Sequence, residues 1–207
     1  RLGIIRDVFD LAEASGVSTE KALELSVSYI GETDYTVWVE LTSHISKVEN
    51  LIAEEKFAER MDEYGQKLYL KIAQKMGWEK RSGEKHTDTL LRSLTLYKLG
   101  SFGDQETSKK AKKLFDSHQD KSIDADLRGM VYKLVAESGG QGEFNLLMSM
   151  HAGESLQQER DRITAAMASF TDKNLLQKTL KFSLSKEVRL QDAIFIITLV
   201  AQNPIGR

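Results

Sequence analysis

The feature that most constrains this chain is a repeated segment in its second half. The segment LRSLTLYKLGSFGD, at residues 91–104, returns as LRGMVYKLVAESGG from residue 127, and a weaker third copy, RDRITAAMASFTD, is centred on Arg162. Its arginines, Arg92, Arg128 and Arg162, are therefore 36 and 34 residues apart. This spacing is typical of α-solenoids, in which each repeat is a pair of short helices that packs on its neighbours. We predict an all-α fold, a right-handed superhelix of the HEAT/armadillo type with about 11–12 helices in antiparallel pairs.

The composition agrees with a helical fold that occupies the whole chain. Only one of the 207 residues is proline, and 41% are hydrophobic with few aromatics, whereas β-rich domains need more turn residues and aromatics. We expect one domain over residues 1–207. The loop-like stretch RSGEK at residues 81–85 suggests a subdivision into 1–80 and 86–207.

Polar residues and glycines at the ends of apolar periodic stretches predict where helices begin and end. A break is expected near residues 54–57, between two apolar stripes, with one bent helix as the alternative. The predicted starts are Ser18 or Thr19, Asp34, Asp172 or Thr171, and a capping box of Ser155 with Gln158, and the predicted ends are Gly16 and Gly100.

No residue pattern in the chain predicts a catalytic or metal centre. The sequence has no cysteine, and its four histidines are scattered, without the H-E-x-x-H motif that brings two imidazoles to one zinc ion. The glycines at residues 139–142 lack the strand and the register of a phosphate-binding loop. We therefore predict no catalytic residue, no metal ligand and no cofactor in this chain.

Charge and hydropathy argue against nucleic-acid and membrane partners. The formal net charge is −2, whereas general polyanion binders carry a clear basic excess. The longest strongly apolar run, residues 193–201, is far shorter than the roughly 20 residues of a spanning helix. Because there is no cysteine and no N-x-Ser/Thr site, we expect a cytoplasmic location.

The recurring arginines are the candidate binding residues. Equivalent positions of a solenoid line one surface, and the forked donors of Arg92, Arg128 and Arg162 would suit a peptide carboxylate or backbone. The structural alternative is that each arginine pairs with an acid of a neighbouring repeat, such as Asp126, Glu159 or Asp161.

Longer stretches of the sequence resemble a known family. Five segments occur in this order along the chain, at residues 1–38, 91–104, 124–140, 160–180 and 188–207. Their most specific parts are Glu32-x-Asp34 with Trp38, the Leu-Arg repeats and the terminal Asn203-Pro204-x-Gly206. Together they resemble the C-terminal helical domain of the aminopeptidase N and puromycin-sensitive aminopeptidase family of zinc metallopeptidases.

The resemblance implies a role beside a catalytic domain. In that family an upstream domain carries the zinc and cleaves N-terminal residues from peptides, and the C-terminal superhelix encloses a cavity for the peptide. We therefore expect a non-catalytic fragment of a longer chain, with the upstream domain and the peptide substrate as partners. The family pattern continues beyond Gly206 with another helix or two, so residues 194–200 are expected to be exposed. The alternative is a freestanding helical scaffold that binds a protein partner.

Overall fold

The fold is all-α, as predicted. The computed structural model describes residues 1–117 and 123–206, and these contain eleven α-helices, one short 3-10 helix and no strand. They form two compact units, Arg1–Asp104 and Gln105–Arg207. The boundary between the units follows residue 104, and the loop at residues 81–85 lies within the first unit.

The first unit contains five helices. They are α1 (Leu2–Glu13), α2 (Thr19–Val27), α3 (Tyr35–Ile52), α4 (Glu59–Met76) and α5 (His86–Ser101). Helices α1 and α2 pack as one pair and α4 and α5 as another, while α3 contacts both α1 and α5. The chain breaks between α3 and α4 at residues 53–58, where the sequence predicted it.

A line of aromatic rings forms the centre of the first unit. Trp38 is 5.3 Å from Tyr69, and Tyr69 is 5.8 Å from Phe102, measured between ring centroids. All three side chains are buried. The Phe102 ring lies so close to α4 that a Cβ atom added at Gly65 would be 2.2 Å from its Cγ. Glycine at position 65 is what allows this approach.

The residues around the start of α3 are tied together by hydrogen bonds. Asp34 caps α3 by accepting from the backbone N–H groups of Thr36, at 2.8 Å, and Val37, at 3.4 Å. The Trp38 indole donates to the carbonyl of Glu32 at 3.0 Å. The most specific residues of the family resemblance in this part of the chain therefore have a structural role.

The second unit contains the remaining helices. They are α6 (Gln105–Asp116), α7 (Arg128–Ser138), α8 (Gln141–Gly153), α9 (Gln157–Met167), α10 (Lys173–Ser183), α11 (Leu190–Gln202) and the 3-10 turn Pro204–Gly206. The pairs α6–α7, α8–α9 and α10–α11 are in contact, and α7 also packs on α9. Asp172 caps α10, as predicted.

Asn203 fastens the end of α11 to the connection between α9 and α10. Its side-chain amide donates to the carbonyls of Ala168 and Phe170, both at 2.9 Å. Its side-chain oxygen accepts from the backbone N–H of Ile205 at 3.0 Å. The Asn-Pro-x-Gly segment therefore ends α11 and also makes tertiary hydrogen bonds to the connection between α9 and α10.

Two predicted helix ends are wrong by a few residues. Helix α5 continues past Gly100 to Ser101, and Gly103, with φ 83°, takes the left-handed position. The N–H of Asp104 then bonds the carbonyl of Leu99 at 3.2 Å, which is the Schellman arrangement. Helix α1 ends in the same way, but Ser15, with φ 60°, takes the left-handed position instead of the following glycine.

The predicted capping box before α9 is also wrong. The residue preceding the helix is Leu156, and no side chain caps it. Instead, the Glu154 carboxylate accepts from the backbone N–H groups of Ser155, at 2.7 Å, and Leu156, at 2.8 Å. A carboxylate two residues upstream of the helix therefore orders this turn, by accepting both bonds at one oxygen, Oε1.

Helix α11 presents apolar side chains to solvent. Leu190, Ile194, Phe195 and Ile197 are exposed, whereas Ala193, Ile196 and Val200 are buried. The exposure expected for residues 194–200 is therefore confirmed at positions 194, 195, 197 and 198 and not at 196 or 200. Within the described part of the chain, no helix has the length and apolar character needed to cross a bilayer.

Candidate functional site

Two of the three repeat arginines meet at one carboxylate in the second unit. Arg128 begins α7, after a turn in which Asp124 accepts from the N–H of Asp126 at 2.9 Å. Arg162 lies on α9, three residues after Glu159 and therefore on the same face of that helix. Because α7 packs on α9, both guanidinium groups reach the same glutamate.

The carboxylate of Glu159 is buried and has three donors. Arg162 Nη1 lies 2.7 Å from Glu159 Oε2, and Arg128 Nη1 lies 3.4 Å from the same oxygen. The hydroxyl of Tyr132 donates to Oε1 at 3.0 Å. Burial, and secondarily the nearby Glu159 charge, raise the pKa of Tyr132, so this phenol remains a donor at neutral pH. The structural alternative named from the sequence, pairing with an acid of a neighbouring repeat, is thus observed for Arg128, whereas Arg162 pairs with an acid of its own helix.

The two guanidinium groups remain partly accessible to solvent. About 30% of the Arg128 side chain and 28% of the Arg162 side chain are exposed, against 5% for Glu159. Arg128 also donates from Nε to the carbonyl of Ile123 at 3.0 Å. Each guanidinium carries five N–H donors, and those of Arg162 not directed at Glu159 have no partner among the described residues. The arginine pair, Arg128 with Arg162, can therefore hold a second anion.

Arg92 cannot offer its guanidinium in this way. It lies in the first unit and is only 2% exposed. Both of its Nη atoms donate to the carboxylate of Glu84, Nη1 at 2.6 Å, and its Nε donates to the carbonyl of Met76 at 3.3 Å. The Arg92 guanidinium lowers the pKa of Glu84 to about 2, helped by hydrogen bonds from the Arg81 N–H and the Thr89 hydroxyl.

The repeat also contains an arginine that sequence comparison missed. Arg92 binds the carbonyl of Met76, the last residue of α4, and so caps a helix whose final carbonyls lack partners. In α9 the corresponding bond comes from Arg160, whose Nε donates to the carbonyl of Glu154 at the end of α8. Arg160, rather than Arg162, repeats the role of Arg92.

The described residues do not offer a zinc site. Neither 1–117 nor 123–206 contains three histidine, aspartate or glutamate side chains grouped to hold a metal ion. His44 stacks on Phe9 at 4.6 Å, and His151 packs edge-on against Phe182 at 5.0 Å. His118 lies outside the described residues. The zinc ion of the family, which the resemblance places in an upstream domain, would find no grouped ligands in these described ranges.

Comparison with known proteins decides the family. The family described as "ERAP1-like C-terminal domain" matches residues 1–207. The chain belongs to this family. Aminopeptidase M1 of Arabidopsis thaliana is 32% identical over 204 residues, which cover 94% of this chain and 23% of the plant protein.

Relatives in animals carry related names. Glutamyl aminopeptidase of Mus musculus is 28% identical over 212 residues, covering 100% of this chain and 22% of the mouse protein. The puromycin-sensitive aminopeptidase of Caenorhabditis elegans is 26% identical over 214 residues, with the same two coverages of 100% and 22%. This ERAP1-like C-terminal domain therefore spans about a quarter of the length of the curated relatives it matches.

Proposed function

We propose that this chain is the non-catalytic C-terminal domain of a cytoplasmic zinc aminopeptidase, where it encloses the active-site cavity and regulates access of peptides. The observation that carries the proposal is the family match over residues 1–207 together with relatives that are aminopeptidases about four times as long. In this proposal an upstream domain of the same polypeptide holds the zinc and hydrolyses the N-terminal peptide bond.

The arginine pair would bind the far end of the peptide. A free α-carboxylate accepts forked hydrogen bonds from a guanidinium, and such charge-assisted bonds are stronger than neutral ones. Arg128 and Arg162 are held in place by the buried Glu159, so little side-chain freedom would be lost on binding. Arg92 has no accessible guanidinium, and we assign it a structural role instead.

The first test measures whether this chain has activity by itself. The 207-residue chain, with and without added zinc, should release no amino acid from aminoacyl-coumarin substrates. Zinc-dependent turnover by the purified chain would contradict the proposal. It would also contradict the alternative function, a freestanding helical scaffold that binds a protein partner.

The second test concerns the arginine pair within the full-length polypeptide. Arg162→Gln should raise KM for peptides with a free C-terminal carboxylate by about tenfold, which corresponds to roughly 1.4 kcal/mol. The same peptides with an amidated C-terminus, and single aminoacyl-coumarins, should be unaffected. An equal rise in KM for the free and amidated peptides would mean that the arginine pair does not bind the carboxylate.

A further inference from the structure

An apolar groove of about 910 Å³ lies within the first unit. It is lined by α2, the second half of α3, the end of α1, and the connection between α3 and α4 with the first two turns of α4. Cavities of this size that are lined mainly by apolar side chains with a few polar groups are the usual form of a binding site.

Two large apolar side chains at the groove are exposed. Leu51 is 80% and Phe57 is 51% accessible to solvent, and both line the groove. Leu23 and Val27 on α2, four residues apart, face the same space and are half-buried. Covering these side chains would remove apolar surface from water, which favours binding by about 25 cal/mol for each Å².

The shape of the groove suits a helix. Its lining on α2 extends from Thr19 to Val27, and its lining on α3 extends from His44 to Ile52. Each stretch covers eight steps of 1.5 Å along a helix axis, or about 12 Å. A partner helix of two to three turns, with apolar residues at positions i, i+3 or i+4 and i+7, would lie against both the α2 and the α3 stretch.

One buried polar atom at the groove lacks a partner. The Nδ1 atom of His44 has no hydrogen bond, and it is the one such buried side-chain nitrogen or oxygen found in the described residues. The other ring nitrogen, Nε2, lies 3.5 Å from Glu40, and the ring stacks on Phe9. Buried polar atoms usually have a partner, and His44 lines the groove. His44 therefore provides an imidazole probe of the groove.

Charges at the rim indicate which kind of helix would bind. Glu20 and Glu24 stand one turn apart on α2 and line the groove, and Arg60 lines it from α4. None of the three has an ion pair within the described ranges 1–117 and 123–206. Glu13 and Lys47, in contrast, neutralise each other at 2.8 Å. The rim is thus acidic along α2 and basic at the start of α4.

We propose that this groove binds an amphipathic α-helix of a separate protein. The helix carries an apolar stripe, lysines or arginines on the flank that faces Glu20 and Glu24, and an acid on the flank that faces Arg60. The site lies within one unit and does not depend on the proposed aminopeptidase role.

The test uses a defined peptide and matched variants of the whole chain. The probe is a fluorescein-labelled 14-residue helix with leucines at the spacing above, lysines on one flank and a glutamate on the other, and fluorescence anisotropy measures its Kd. Leu51→Ala should weaken binding about tenfold, because covering this exposed leucine removes a large apolar side chain from water. Leu190→Ala, a control leucine 83% exposed in the second unit, should leave Kd unchanged.

Charge and location are tested separately. The double variant Glu20→Lys/Glu24→Lys should weaken binding several-fold at low salt and much less at 0.5 M salt, because exposed charges are screened. A peptide with its charges exchanged between the flanks should bind the wild type more weakly. In NMR spectra the imidazole signals of His44 should shift on addition of the peptide, and those of the exposed His86 should not.

Three results would overturn the proposal. They are equal loss of binding in the Leu51 and Leu190 variants, no preference between the two charge arrangements, and self-association of the chain that Leu51→Ala abolishes in sedimentation experiments. The last result would assign the groove to a second copy of this chain.

Discussion

Replacing Gly65 by alanine should destabilise the protein, although the same change usually stabilises a helix. Gly65 lies inside α4, where alanine is favoured over glycine by about 1 kcal/mol. At this position, however, the added Cβ would be 2.2–2.4 Å from three ring atoms of Phe102. That distance is far below van der Waals contact, so either the ring or the helix has to move.

The surroundings of Phe102 leave the ring little room to move. Its side chain is 1% exposed, it stacks on Tyr69, and Lys98 Nζ lies 4.6 Å from its centroid. Its backbone carbonyl accepts from the Gln66 side chain at 2.6 Å. Overpacking of a filled core costs about 1–3 kcal/mol, and the clash here belongs at the upper end. After subtraction of the helix-propensity gain, Gly65→Ala should lose about 2 kcal/mol.

Thermal and urea unfolding, followed by circular dichroism, measure this loss. For a chain of this length about 2 kcal/mol corresponds to a decrease of roughly 4–8 °C in Tm. The control is Gly142→Ala in α8, where an added Cβ meets nothing within 4 Å and stability should rise by up to about 1 kcal/mol. In a Phe102→Ala background the Gly65 change should become neutral or stabilising. The same loss in both backgrounds would refute the steric explanation.

Two further changes test the electrostatic and capping contacts. Glu84→Gln should lower stability at pH 7, and the difference in stability from the wild type should shrink as the pH falls from 4.5 towards 2. Arg92 lowers the pKa of Glu84 to about 2 in the folded protein. A lowered carboxyl pKa stabilises the fold in full only at a pH above the pKa of the unfolded state, and this stabilisation is lost as the pH falls towards the folded-state pKa. Urea midpoints over that pH range measure this, and a constant difference would contradict it. Asp172→Ala should cost about 1 kcal/mol, because Asp172 accepts from the N–H of Asn174 at 2.7 Å; Asp172→Asn should restore most of it.

The helices were predictable because their apolar positions repeat along the chain, whereas several of their ends were not. The break near residues 54–57 and the caps at Asp34 and Asp172 follow from residue types that act locally. The end of α5 depends on which glycine takes a positive φ, and Gly100 and Gly103 cannot be distinguished by type alone. Sequence patterns identify the residues suited to a turn, and the surrounding packing selects among them.

The arginines demonstrate the corresponding limit for a functional site. Glu159 was among the predicted partners, but Arg160, rather than the predicted Arg162, repeats the bond of Arg92 to the preceding helix. Accessibility, however, could not be predicted: Arg92 is buried against Glu84 while Arg162 keeps part of its guanidinium in solvent. Burial depends on contacts between residues far apart in the chain, and the spacing of a repeat does not record them.

The hydrogen bonds of Asn203 also affect how the second unit unfolds. A helix that contacts only its neighbours can open locally. Here α11 cannot detach at its end without breaking two bonds to the connection between α9 and α10. We therefore expect α9, α10 and α11 to open together as one cooperative element, so that a large part of the second unit resists local unfolding as a single body.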